Sequence, residues 1–202
     1  MLIALPKGRL LPEIKDLFYK IGIEFDENSR KLIIETSIEN IEIAILRTWD
    51  IPKFVNYGVA DVGIVGKDIL FETDLENNYY EVLDLNIGIC RMSLASLKKV
   101  LPKNKKIKVA TKYPSFAKKY FSNLSKDIDV VILKGAIEIA PILGLSDCIV
   151  DLVQTGKTLK ENGLNELDLI SDISSRLIVN KSSFKLNNKF IKNFVNKLKK
   201  EV

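Results

Sequence analysis

Two rhythms of apolar positions run along this chain. Short unbroken apolar runs suit buried strands, and stretches with apolar residues every three or four positions suit amphipathic helices. Residues 1–5 are an apolar run that stops at Pro6-Lys7-Gly8-Arg9. Over residues 10–21, Leu10, Leu11, Ile14, Leu17, Phe18 and Ile21 share a helical face, and Gly22 ends it. Residues 31–35 and 41–46 read as strands around a turn near Glu39-Asn40. Asp50-Ile51-Pro52 opens a helix through Tyr57, with Asp50 as N-cap, Pro52 in the first turn and Gly58 as the stop. Residues 59–65 form a strand, and Gly66-Lys67-Asp68 begins another helix. Residues 83–96 are β-prone with no strong break. Further strands fall at 107–111, 130–133, 148–150 and 177–180, and helices at 115–121, 136–143 and from 158 to 162. In residues 187–199, Phe190, Ile191, Phe194, Val195 and Leu198 lie on one face, as a terminal helix packed on its domain requires.

Strands alternating with helices imply an α/β fold with largely parallel sheets. The charged loop of residues 101–106 precedes a fresh strand-helix-strand series, so a second lobe begins near Cys90. Two lobes in a chain of 202 residues suggest a cleft between them, a common place for ligands.

Composition narrows the chemistry. The content is 47% hydrophobic, enough for a full core, and the net charge is +5. The excess sits in residues 98–119 and 181–200, as solvated lysine-rich faces or as a field that attracts anionic substrates. No nucleic-acid-binding motif accompanies it. Cys90 and Cys148 lie apart in apolar runs and read as buried free thiols of a reducing cytoplasm. Lys7 and Arg9 interrupt the start, which does not read as a signal peptide. No apolar run reaches the roughly 20 residues of a membrane span, so a soluble cytoplasmic protein with no membrane attachment is expected. There is no histidine. That excludes a histidine base, histidine metal ligands and Ser-His triads, and two separated cysteines do not make a structural zinc site. The metal expected is a hard ion such as Mg2+, held by carboxylates and substrate phosphates.

The densest chemistry lies in Asp151-Leu-Val-Gln-Thr155-Gly156-Lys157-Thr158-Leu159. A carboxylate follows an apolar run, and Thr-Gly-x-Thr follows at the start of a helix. That places acid and cradle on one strand-to-helix loop, a layout that suits a sugar phosphate: hydroxyls to the acid, phosphate to loop amides and hydroxyls. Gly156-Lys157-Thr158 also matches the end of a Walker-type P-loop, whose first glycine would fall at Asp151. A carboxylate there would repel a triphosphate and lacks glycine's freedom to wrap it.

The pattern around this segment is Glu138, Gly144, Ser146, Ile149, Asp151, Leu152, Thr155, Gly156, Thr158 and Leu159. It resembles the signature of the ATP phosphoribosyltransferase family. Further blocks resemble the same family in order: residues 5–10 (Leu-Pro-Lys-Gly-Arg-Leu), 28–32, 46–52, 58–68, 110–114 and 174–180. The length is similar to that of the short form. The resemblance implies two α/β lobes similar to type II periplasmic-binding proteins. Lobe I would span residues 1–89 plus 172–202 on the ATP side, and lobe II residues 90–171 on the phosphoribosyl pyrophosphate side. It also implies homodimers in a hetero-oligomer with a regulatory subunit similar to a histidyl-tRNA synthetase.

The implied reaction joins N1 of the ATP adenine to C1 of phosphoribosyl pyrophosphate, releasing pyrophosphate in the first step of histidine biosynthesis. Adenine N1 already carries a lone pair, so no strong base is needed. The enzyme must position two polyanions and stabilise the leaving pyrophosphate. By the resemblance, Thr155, Gly156, Lys157, Thr158 and Leu159 hold the ribose 5-phosphate, and Asp151 contacts the ribose hydroxyls with Glu138 nearby. Arg9 and Arg30 are the catalytic arginines expected on the phosphates. Lys7, Gly8, Arg9 and Arg47 are expected on the ATP side. Mg2+ is expected on substrate phosphates rather than on protein ligands. Lys157 either adds a phosphate contact or points to water, and Trp49 either stacks on adenine or fills the core. A solute-binding module of the same fold is the alternative; the missing signal peptide argues against it.

Overall fold

The first strand carries its pattern into three dimensions directly: in β1 (Leu2–Pro6), Ile3 and Leu5 face one way and Ala4 the other. The computed structural model describes residues 1–73, 78–102 and 106–202. Their elements run α1 (Leu10–Lys20), β2 (Ile34–Glu35), β3 (Glu42–Leu46), α2 (Ile51–Asn56), β4 (Val62–Gly66), α3 (Lys67–Thr73), β5 (Tyr79–Asp84), β6 (Cys90–Ser96), β7 (Ile107–Thr111), α4 (Pro114–Asn123), β8 (Ile128–Ile132), α5 (Ile139–Ile142), β9 (Cys148–Val153), α6 (Lys157–Glu161), β10 (Asn165–Ile173), β11 (Ser175–Asn180), α7 (Lys181–Leu186) and α8 (Asn188–Lys199). The chain divides into two compact units, Met1–Gly88 with Ser174–Val202, and Ile89–Ile173.

In the first unit, six strands order as β2-β3-β1-β4-β11-β5. β3, β1 and β4 are parallel neighbours; β11 reverses between β4 and β5, and β2 reverses at the edge. Period-two alternation sends Ile3, Leu5, Ile43, Val62, Ile64, Leu177 and Val179 into one core with α1 and α8, and Ala4, Val65 and Ile178 into another with α2 and α3. Gly63 is small for packing reasons: a methyl there would press on Ile51 and Val55 of α2 at 2.7 and 2.8 Å.

In the second unit the order is β10-β6-β9-β7-β8. β9, β7 and β8 are parallel, and β6 reverses between β9 and β10. α5 and α6 cover one face through Ala140 and Leu159, with Ile137 just before α5, packed with Ala95, Ala110, Ile149 and Val153. Among the described residues, four of six strands in the first sheet and four of five in the second point the same way, so the α/β fold with largely parallel strands stands.

Several expectations need correction. The run 83–96 is two strands. The chain breaks at Asn86 and Gly88, both in the left-handed region (φ +49° and +63°), and β5 ends where β6 has yet to begin. The strand expected over 31–35 shrinks to two residues, because Lys31, Leu32 and Ile33 are exposed and carry no ladder. Asp50 makes no side-chain cap: its backbone is already helical, with φ −92° and ψ −23°. Asp151 sits inside β9 rather than on the loop after it, because β9 runs on to Val153. Phe190 lies off the buried face of α8, 42% exposed, while Ile191, Phe194 and Leu198 are buried. The charged loop expected at 101–106 falls in part on residues 103–105, outside the described residues.

Candidate active site

In each unit the residues singled out by sequence gather at the carboxyl ends of parallel strands, the edge where ligands of open α/β sheets bind. In the first unit, Lys7-Gly8-Arg9 follows β1 and Arg47 follows β3. The two strands pair Pro6 with Leu46, and the Lys7 amide donates to the Leu46 carbonyl at 2.8 Å. Gly8 adopts φ +102°, open to glycine and strained for other residues, and its carbonyl accepts from Leu11 at 3.0 Å, turning the chain into α1. Arg9 stands at the N-cap position of α1. Lys7, Gly8, Arg9 and Arg47 are all exposed. Arg30 is exposed on the segment before β2; because β2 runs antiparallel to β3, that segment approaches from the Leu46 end. Trp49 is also exposed and does not fill the core. Gly66 closes β4 directly before α3, where a side chain would collide with the carboxylate of buried Asp68.

In the second unit, β7 ends at Thr111 opposite Val150 of β9, which makes the next residues, Lys112 and Asp151, neighbours. Lys112 Nζ is 3.7 Å from Asp151 Oδ1, with side chains 32% and 13% exposed. Thr111 locks the edge: its hydroxyl donates to the Val150 carbonyl at 2.6 Å and accepts from the Tyr113 amide at 2.8 Å. Burial pushes the Asp151 carboxyl above the usual aspartate range. Lys112 and the Leu152 amide, bonded to Oδ1 at 2.8 Å, pull it back, and the Glu138 charge pushes it up again. Glu138, at the N-cap position of α5, is therefore an electrostatic neighbour of Asp151. After β9 the chain passes through Gln154 and Thr155 to Gly156, the N-cap of α6, whose φ of +75° turns the loop into the helix. The Thr155 hydroxyl accepts from the Lys157 amide at 3.3 Å. Lys157 itself is 79% exposed, with Glu161 one turn on at 3.7 Å. Leu159 is buried and belongs to the core; it anchors α6 rather than presenting a side chain to a ligand.

Thus Asp151, Glu138 and residues 155–158 belong to one unit, and Lys7, Gly8, Arg9, Arg30 and Arg47 to the other. Lys112 is the residue that sequence reading missed. It lies inside residues 110–114, one of the blocks that resemble the family, but only the pairing of β7 with β9 brings it to an acid 39 positions away.

The profile of the ATP phosphoribosyltransferase family matches residues 47–200. The chain belongs to this family. It is 47% identical over 192 residues to an ATP phosphoribosyltransferase of Caldicellulosiruptor saccharolyticus, across 91% of this chain and 90% of that one. It is 46% identical over 196 residues to an ATP phosphoribosyltransferase of Ruthia magnifica, across 96% and 95%. Its structure is similar to the ATP phosphoribosyl transferase (HisG:HisZ) complex from Thermotoga maritima, with TM-score 0.86 and 34% identity over 99% of this chain and 97% of that one. The periplasmic aliphatic sulphonate binding protein SsuA from Escherichia coli shares the fold alone, with TM-score 0.60 and 13% identity over 98% of this chain and 70% of that one. Membership in the ATP phosphoribosyltransferase family makes the protein an enzyme, a pentosyltransferase acting at the first step of histidine biosynthesis. The solute-binding and P-loop hydrolase readings fall.

Proposed function

We propose that the two edges divide the substrates of the ATP phosphoribosyltransferase reaction: ATP to Lys7, Gly8, Arg9 and Arg47, phosphoribosyl pyrophosphate to Asp151, Glu138 and residues 155–159. The observation that carries this reading is Asp151, an acid held mostly buried inside β9 beside Lys112, four residues before the Thr-Gly-Lys-Thr turn. Ribose hydroxyls reaching Asp151 would meet a carboxyl that burial shifts toward its neutral form and the Lys112 charge draws back toward the carboxylate. Backbone amides of a turn into a helix suit the 5-phosphate. Arg9 and Arg30 carry planar guanidinium forks that pair two phosphate oxygens, which suits charge growing on a departing pyrophosphate.

The residues also fit Mg2+ of one kind only. Among the described residues no group of three or more carboxylates, cysteines or histidines could cage a metal. Two neighbouring acids, Asp151 and Glu138, suit an ion that arrives on substrate phosphates and keeps few protein ligands. Bound there, Mg2+ would neutralise part of the pyrophosphate charge. The reading also takes the chain as a short-form subunit, dimeric, cytoplasmic and associated with a regulatory subunit. Its support is the Thermotoga maritima relative, a HisG:HisZ complex of which this chain covers nearly all of one component. Cys90 and Cys148 both lie buried, and among the described residues no helix is long and apolar enough to cross a membrane.

The test is phosphoribosyl-ATP formation followed by absorbance, with ATP, phosphoribosyl pyrophosphate and Mg2+, with and without the regulatory subunit. Asp151→Asn and Arg9→Ala should each lower kcat/KM by roughly 10- to 100-fold, the worth of a hydrogen bond to a charged group. Full activity in both variants would remove the site assignment.

A further inference from the structure

Bonded to the proposed phosphate loop at Gln154 is a side-chain network with no part in the division of substrates. Arg91 of β6 donates from Nε to Glu166 Oε1 at 2.6 Å and from Nη2 to Oε2 at 2.7 Å. Glu166 lies on β10, the antiparallel neighbour of β6. The Ser93 hydroxyl donates to Glu166 Oε1 at 2.7 Å, so the carboxylate is held by three bonds. Arg91 Nη1 then donates to the Gln154 carbonyl at 3.2 Å. Gln154 is the first residue after β9 and the one before Thr155-Gly156. A methyl group on Gly156 would stand 3.7 Å from Nη2, which puts the guanidinium beside Gly156 as well as Gln154. One planar group therefore spans β6, β10 and the loop.

The arrangement has a use beyond joining two strands. An anion cradle works when amides face the anion and carbonyls do not. A carbonyl oxygen already held by a cation is withdrawn from that side. The loop is short, and Gln154 and Thr155 are exposed, so ordering it on binding would cost conformational entropy. A fork bonded twice to one carboxylate is pre-organised, and its remaining nitrogen points in a fixed direction.

We propose that Arg91, oriented by Glu166 and Ser93, is a positioning residue that holds the Gln154 carbonyl and presets the loop for the 5-phosphate of phosphoribosyl pyrophosphate. The proposal rests on residues 155–159 being the phosphate cradle. Arg91 need not touch the substrate. A plain structural ion pair between β6 and β10 would instead support the fold and affect both substrates alike.

Calorimetric titration of the full-length protein with phosphoribosyl pyrophosphate and separately with ATP, together with thermal melts, distinguishes these. Arg91→Met should weaken phosphoribosyl pyrophosphate binding about tenfold, leave the Kd for ATP within about twofold, and leave Tm within a few degrees. Arg91→Lys, which keeps the charge and loses the fork, should recover only part of the affinity. Glu166→Gln keeps an acceptor for Ser93 and for one Arg91 nitrogen; it should fold even where Arg91→Met does not, and weaken phosphoribosyl pyrophosphate at least twofold. A Thr155→Val/Thr158→Val double variant tests the cradle itself. If it loses affinity while the Arg91 and Glu166 variants keep theirs, the positioning role is wrong and the cradle stands. If the double variant binds phosphoribosyl pyrophosphate normally, the cradle reading fails and the proposal with it. Equal loss for both ligands with a collapsed Tm would make the network structural and overturn the proposal.

Discussion

At Asp151, stability and activity pull in opposite directions. Burial holds the native carboxyl above the aspartate value of the unfolded chain, and Lys112 and the Leu152 amide only partly offset it. The native state therefore binds more protons than the unfolded one across the window between the two values. Stability falls as pH rises through that window and stays reduced above it. Asp151→Asn removes the ionisation and should raise Tm at pH 7, by about 2–4 °C for each kcal/mol recovered at this chain size. Near pH 3 both proteins carry a neutral group and the gain should shrink. Melts of both proteins at the two pH values decide it; an Asn variant that melts lower at pH 7 would show that Lys112 outweighs burial. The acid was legible in the sequence because it ends an apolar run before a Thr-Gly turn. Lys112 was not, because a lysine after a strand in a lysine-rich chain carries no pattern, and its partner is fixed by strand pairing alone. Arg91 was hidden for the same reason: its contacts to Glu166 and Gln154 span 75 and 63 positions.

Among the elements, those with a clean period emerged from sequence and those defined by tertiary contact did not. α1 and β3 carry full apolar patterns and lie where the pattern puts them. β10 alternates weakly, with bulges after Glu166 and Leu169, and half-buried edge residues blur its two faces. α7 is announced only by its cap: the Asn180 side chain accepts from the Ser182 and Ser183 amides at 2.9 and 3.0 Å, a local signal masked by the strand that ends on the same residue. In α8 the helical period was correct and the width of the stripe was not. Phe194 stacks edge-on against Phe18 with ring centroids 5.9 Å apart, in the same core as Leu198 and Ile191, whereas Phe190 is 42% exposed. Phe194→Ala should therefore cost about 3–5 kcal/mol, lowering Tm by roughly 6–20 °C. Phe190→Ala should cost less than about 1 kcal/mol. Equal losses in denaturant melts of the two variants would mean that α8 packs on a different face.

On the scale of the whole molecule, the chain leaves its first unit after Gly88 and returns at Ser174, so each sheet is completed by a strand distant in sequence: β11 joins β4 and β5, and β10 joins β6. Alternation of strands and helices made the α/β class legible, and the resemblance carried the two-lobe fold; neither could reveal which strand reverses. This plan bears on regulation. Feedback by the pathway's end product requires a second site whose occupancy changes the affinity or turnover of the first, and for binding the coupling is reciprocal. In the proposed short-form arrangement that site belongs to the regulatory subunit. The isolated chain should then form phosphoribosyl-ATP at a rate unchanged by histidine, and adding the regulatory subunit should bring in inhibition. Reciprocity adds a sharper requirement. If histidine inhibits by weakening phosphoribosyl pyrophosphate binding in the complex, saturating phosphoribosyl pyrophosphate must weaken histidine binding by the same factor. Equilibrium titration of the complex with histidine, with and without phosphoribosyl pyrophosphate, measures that factor directly. Histidine bound by the isolated chain, with matching inhibition, would place the regulatory site in these 202 residues instead.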